Sequence, residues 1–231
     1  MTNNKLYTAV GKFKMKGTIN SLTCPIVTVG EQEYGLDMQE MVLWTVLNWR
    51  IVSAEEMEIL YNKKSEETGF LSHRSVEQCK IRLLQRGLIA EGCGETGLDA
   101  LYDLLSELYV IPISENIFLR AISFVRLTFF KRIPFSVTKK LFFRDKRSDG
   151  EQKIMRLANK ATLSTAEIIK CVEHNKLRLS TNEELLDVLY HDAYTTSENI
   201  AYYVKSSPAC RPVLTDVTNL YLRQRIIFER I

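Results

Sequence analysis

The sequence predicts a mainly α-helical fold with a small β component, in two domains, residues 1–113 and 114–231. Three observations carry the prediction. Apolar residues recur at helical spacing through most of the chain after Asp37. Several of these runs begin with a capping-box pair, a Ser or Asp followed three residues later by Glu. The charge balance changes sign near residue 113: the first 113 residues hold 11 Lys/Arg against 15 Asp/Glu, and the rest hold 20 against 13.

The elements follow in order. Leu6–Ile19 mixes β-formers with Lys and Gly, and Ile26–Val29 and Gln32–Leu36 flank Gly30-Glu31, which predicts an N-terminal β-hairpin or short strands. Asp37 with Glu40 opens a helix carrying Leu43, Leu47 and Ile51 on one face. Ser53 with Glu56 opens a second, running to about Glu67 and stopped by Gly69. Ser72 or His73 caps a third, which ends at Gly87. Leu88–Ala90 suits a short strand, and Glu91–Gly97, with three glycines, suits a turn. Leu98–Leu108 has helical spacing, and Tyr109–Ile113 looks extended. Beyond residue 113 the pattern predicts helices over Glu115–Leu127, Glu151–Ala161, Thr165–Glu173, Asn182–Tyr190, Ser197–Ser206 and Val213–Phe228. Caps are expected from Ser164 with Glu167 and from Ser180 with Glu183. No internal repeat is visible in the residues.

Composition narrows the function classes. The chain has 231 residues, 45% hydrophobic and 26% charged, which is ordinary globular composition rather than that of a disordered segment. The most apolar window, Ile117–Phe130, is shorter than the roughly 20 residues needed to span a bilayer and carries two arginines. No leader-like apolar run follows Met1. The five cysteines are scattered without metal-ligand spacing, so the expectation is a cytoplasmic protein with no metal, no cofactor and no membrane partner. No phosphate-binding or dinucleotide glycine loop is present. Cys93 sits between two glycines, but a nucleophilic thiol needs a base, and spacing assigns none. His191-Asp192 is too few groups for a metal site. The expectation is therefore not an enzyme.

The chemistry-bearing candidate is the third helix. With Val76, Cys79 and Leu83 facing inward, the opposite face collects Arg74, Gln78, Arg82 and Gln85, residue types that read base edges. Ser72, His73 and Ser75 stand at its start, where a recognition helix meets backbone phosphates. The span from residue 37 to 97 resembles the winged helix-turn-helix fold: supporting helix, turn, recognition helix, glycine stop, short strand. The resemblance implies a winged-helix-like N-terminal domain followed by a helical C-terminal domain. It implies a DNA-binding protein of transcriptional-regulator type, with double-stranded DNA as partner. It also implies a homodimer through the C-terminal helices, for which Val213–Phe228 offers Val213, Val217, Leu220 and Ile227. A return strand for the wing is missing, since Leu98–Leu108 reads as a helix.

A second segment, Arg126–Arg147, interleaves basic residues with phenylalanines. There Lys139, Lys140, Arg144 and Arg147 are candidate phosphate contacts. The acidic character of the half containing the third helix weighs against DNA, because phosphate neutralisation supplies most non-specific affinity. The alternative is a non-enzymatic protein-interaction or structural module with no nucleic-acid ligand. A positive surface around the third helix favours DNA and a neutral or negative one favours a protein. A third reading, a small-molecule sensor, calls for an apolar pocket in the C-terminal half.

Overall fold

A computed structural model describes residues 4–17, 23–68, 74–113, 147–175, 181–192 and 194–231. Among them are nine helices and nine strands, the strands forming three small antiparallel sheets. The first region opens with β1 (Asn4–Ala9), then a meander of β2 (Lys12–Gly17), β3 (Thr23–Val29) and β4 (Gln32–Gly35). Next come α1 (Met38–Leu47), β5 (Val52–Ser53), α2 (Ala54–Thr68), α3 (Val76–Gln85) and β6 (Ile89–Gly94). The short β5 pairs with one edge of β1, through Tyr7↔Val52, and β6 pairs with the other. The sheet order is therefore β5-β1-β6.

Local chemistry explains these elements. Asp37 caps α1 with a complete capping box, its side chain accepting from the N–H of Glu40 while the Glu40 carboxylate accepts from the N–H of Asp37. Ser75 and Gln78 form the same reciprocal cap on α3. Alternation along β1 joins two cores: Tyr7 and Ala9 pack with α1, α2 and α3, whereas the adjoining Val10 packs with the second region.

The helix α4 (Gly97–Leu105) lies directly on β6. A Cβ at Gly92 would stand 2.4 Å from the Ala100 carbonyl oxygen, so the glycines of this stretch permit backbone-to-backbone packing. The second region runs β7 (Tyr109–Pro112), α5 (Asp149–Lys160), β8 (Leu163–Ser164), α6 (Thr165–Glu173), α7 (Asn182–Tyr190), α8 (Ile200–Val204), α9 (Cys210–Leu222) and β9 (Ile226–Glu229). Its sheet order is β8-β7-β9.

The two regions repeat one another. In each, the first strand is flanked by a two-residue strand and by the last strand, all antiparallel. Residues 111 apart match across α1–β5–α2 and α5–β8–α6: Glu40 with Glu151, Asn48 with Asn159, Ser53 with Ser164, Glu56 with Glu167. Both serines accept a hydrogen bond from the N–H of the Glu three residues on. The helix-to-strand turns also coincide. Leu88 N–H donates to the Leu83 carbonyl as Arg225 N–H does to that of Leu220. The residue before, Gly87 or Gln224, takes positive φ, 67° and 58°. Val10 N–H then donates to the Leu88 carbonyl, as Ile113 N–H does to that of Arg225. The absence of a repeat in the sequence reading is thereby corrected.

The predicted fold class is corrected as well. Strands are as numerous as helices among the described residues, and the N-terminal region carries two sheets rather than one hairpin. No wing follows α3: β6 pairs with β1, a strand 80 to 90 residues earlier. The second region is not a helical domain, because it encloses the sheet β8-β7-β9. The helix expected over Val213–Phe228 stops at Leu222, where the left-handed Gln224 redirects the chain into β9. The turn expected at Glu91–Gly97 is strand as far as Gly94. The expected helix Glu115–Leu127, the capping Ser180 and nearly all of the basic aromatic segment lie outside the described residues.

Candidate functional site

The face of α3 that the sequence singles out is organised around one carboxylate. Glu40, on the first turn of α1, is 1% exposed. Arg82 Nε donates to its Oε1 at 2.6 Å, and Arg86 Nη2 stands 2.8 Å from its Oε2. Arg74 Nη1 lies 3.7 Å from Oε1 and makes its close contact, 2.5 Å, with Asp37 Oδ2. Burial by itself would raise the Asp37 carboxyl. The N–H of Glu40, the Arg74 guanidinium and the N–H of Gln39 outweigh it and hold the group below the usual carboxylate range.

Two neighbours on the helix are engaged as well. Lys80 pairs with Glu77 at 2.6 Å and lies over the Tyr7 ring. Ser75 and Gln78 cap the helix through each other. Ser72, His73, Lys139, Lys140 and Arg144 lie outside the described residues. Arg147 is described, just ahead of α5, and its carbonyl accepts from Gln152 Nε2. The structure thus draws Arg74 and Arg82 to Asp37 and Glu40, while Ser75 and Gln78 are paired with each other at the helix start. Asp37, Glu40 and Arg86 were not among the residues chosen from the sequence. The capping-box spacing of Asp37 and Glu40 was the available signal, but nothing local marked Glu40 as the target of arginines 34 to 46 residues away.

The second region holds the same clamp in simpler form. Glu151 is 2% exposed and meets a single guanidinium among the described residues, that of Arg223, whose Nη1 stands 3.1 and 3.2 Å from its two oxygens. Arg223 occupies the place of Arg86, one residue before the left-handed turn. Occurrence of the clamp in both regions assigns it to the architecture: it ties the start of one helix to the end of another.

Other candidates are disposed of by their surroundings. Burial pushes the Cys93 thiol up, and neighbouring Glu91 adds to the shift. His174 and His191 meet edge to face at 6.3 Å, away from any thiol partner that the structure records. Among the described residues, no group of three or more His, Cys, Asp and Glu is placed to hold a metal ion, and no helix is long and apolar enough to cross a membrane. Val213, Val217 and Leu220 are buried in the chain's own core, and Ile227 lies in β9. The helix face chosen for dimerisation is therefore occupied.

One open cavity of about 810 Å³ lies where the two regions meet, lined by residues of α1, β2, β7 and β9. It is not confined to the C-terminal half. Compared with known proteins, the chain matches no family model, no curated sequence and no solved structure.

Proposed function

We propose that the chain is a non-enzymatic protein-interaction module, in which α2 and α3 present a docking surface to a partner protein. The observation that carries this reading is the commitment of every Arg and Lys of α3 and its flanks to an ion pair within the chain. A bidentate base contact is worth about 1–3 kcal/mol. Stripping a buried carboxylate of its cations costs about 3–5 kcal/mol. Arg82 and Arg86 taken together are therefore better placed on Glu40 than on guanine.

The surroundings agree. Residues 54–86 carry six acidic and six basic side chains, so no positive field gathers there. Ile59 and Ile81 stand exposed on α2 and α3, apolar groups suited to a protein surface rather than to phosphates. The resemblance to the winged helix-turn-helix over residues 37–97 then extends to the order of its helices, put to use on protein.

An electrophoretic titration against random duplex at low salt tests the reading. No shift is expected at micromolar protein, where non-specific DNA binders with Kd of about 10⁻⁴–10⁻⁶ M at physiological salt would shift. A shift lost on reversing Arg82 to Glu would restore the DNA reading. In parallel, photo-crosslinkers at positions 59 and 81 in producing cells should give one dominant protein adduct, absent when the crosslinker is moved to Glu107.

A further inference from the structure

We infer that the cavity between the two regions is a binding site for a small molecule with an aromatic or bulky aliphatic body and one anionic group. The inference stands apart from the docking surface on α2 and α3. Its volume, about 810 Å³, lies within the range of about 300–1,000 Å³ typical of ligand pockets, and the boundary between units is a preferred location for them.

The walls come from both regions and are mainly apolar. Phe13, Trp44 and Trp49 form one side, and Ile111, Ile113 and Ile227 the other. Phe13 stacks on Trp44 with ring centroids 5.8 Å apart, and the Trp44 indole N–H is tied to the Val10 carbonyl. Trp49 is held in a left-handed backbone conformation, φ 56°, unusual for a bulky residue. Its N–H donates to the Tyr221 hydroxyl of α9, which also accepts from Thr8 Oγ1. A hydroxyl of the second region thus fixes a wall residue supplied by the first. A wall set in advance costs a ligand little ordering.

Charge at the lining selects the ligand's polar end. Lys12 is exposed there and takes part in no ion pair among the described residues. Glu229, the lining carboxylate, accepts the Gly30 N–H at 2.9 Å. That backbone donor occupies one oxygen of Glu229 without cancelling its charge, so the lining carries one carboxylate and one ammonium. Of the two, the exposed Lys12 ammonium has no hydrogen-bond or ion-pair partner among the described residues and is the group that a ligand anion can engage. Asn48 and Thr45 add polar groups to the same lining.

Both tryptophans of the chain line this cavity, so occupancy reads directly in intrinsic fluorescence. The test titrates the full chain with anilinonaphthalene sulfonate, an aromatic anion, and with phenylnaphthylamine, its uncharged counterpart. The expected result is saturable binding of the sulfonate, one dye per chain, with tryptophan quenching and energy transfer, while the chain retains a cooperative melt. Lys12→Glu should weaken the sulfonate about fivefold or more and leave the neutral dye unchanged. Thr45→Phe, at an exposed lining position, should fill the space and remove the saturable phase for both dyes without lowering the melting temperature. Absence of saturable binding, binding without tryptophan quenching, or a sulfonate affinity indifferent to Lys12→Glu would each overturn the inference.

Discussion

The two regions share a sheet order, a helix-to-strand turn and a buried Glu–Arg clamp, yet they surround the clamp differently. Glu40 draws on Arg82 and Arg86, with Arg74 at longer range, whereas Glu151 has Arg223 alone among the described residues. Between α2 and α3 the first region has only a short connection, and α2 keeps an exposed outer face. At the same place the second region inserts α7 and α8, and both pack on α6, whose residues from Thr165 to Cys171 are all buried. What recurs in both regions belongs to the scaffold. What differs, the exposed α2–α3 face on one side and the helical cover on the other, is where separate roles have room to arise.

The largest expected effect tests the redundancy of the clamp. Arg223→Ala strands a nearly buried carboxylate and should cost about 2–4 kcal/mol. Arg82→Ala leaves Arg86 in place and should cost about 1 kcal/mol or less. Replacing Arg82 and Arg86 together should bring the first region to the level of Arg223→Ala, well beyond the sum of the two single losses. Urea unfolding at neutral pH measures these variants and Arg86→Ala. Equal costs for Arg82→Ala and Arg223→Ala would dissolve the distinction between the regions.

Next in size is the joint between them. Tyr221→Phe removes a buried hydroxyl that receives the N–H of Trp49 and the hydroxyl of Thr8. The Trp49 N–H loses its acceptor, while the Thr8 hydroxyl keeps the Arg50 carbonyl at 2.8 Å, so a loss of about 1–3 kcal/mol is expected. A shift in tryptophan emission should accompany it, since Trp49 loses the bond that sets its backbone. Burial pushes the Tyr221 phenol up to about 12, hydrogen bonds notwithstanding, so the hydroxyl stays protonated through the working pH range.

Much of the helical half of this comparison was readable in advance. The reciprocal caps of Asp37–Glu40 and Ser164–Glu167 fix helix starts by local hydrogen bonds, and local signals survive in sequence. The strand Ile226–Glu229 did not, because its apolar residues continue the periodicity of α9 and only the conformation of Gln224 breaks it. The sheets were hidden for another reason: β1 finds its partners 45 or more residues onward, and such pairing leaves no local mark. On α3 the helical spacing places Arg and Gln on the polar face. Its partner left no mark, because residue type alone does not tell which carboxylate an arginine meets: Arg82 is drawn to Glu40 while 53% exposed. The repeat leaves little trace in the sequence because the matched segments share only a few scattered identities and are separated by unequal spacings.

A smaller effect concerns the matching turns. Gly87 adopts φ 67° without a steric penalty, whereas Gln224 holds 58° against its own Cβ. Gly87→Ala should destabilise by about 1 kcal/mol. Gln224→Gly should be neutral or stabilising by up to about 0.5 kcal/mol, strain relief being partly offset by the greater freedom of glycine in the unfolded chain. If both substitutions destabilise equally, the turns are not equivalent despite their shared hydrogen bonds.

The smallest expected effect separates the regions by pH. The cap of α1 is Asp37, paired with Arg74, while the corresponding cap of α5 is Ser148, which does not titrate. Because the Asp37 carboxyl lies below its unfolded value, its contribution is complete above the ordinary aspartate pKa of about 3.9 and fades as pH falls through the lowered folded value. Asp37→Asn retains a good capping side chain but removes the charge. The variant should therefore be less stable than the parent at pH 7, modestly because the pair is partly exposed and solvent-screened, and the gap should narrow by pH 3. Urea midpoints at the two pH values measure it. A gap of the same size at both would mean that Asp37 acts through cap geometry alone, as Ser148 does, and that its pairing with Arg74 adds no acid sensitivity to the first region.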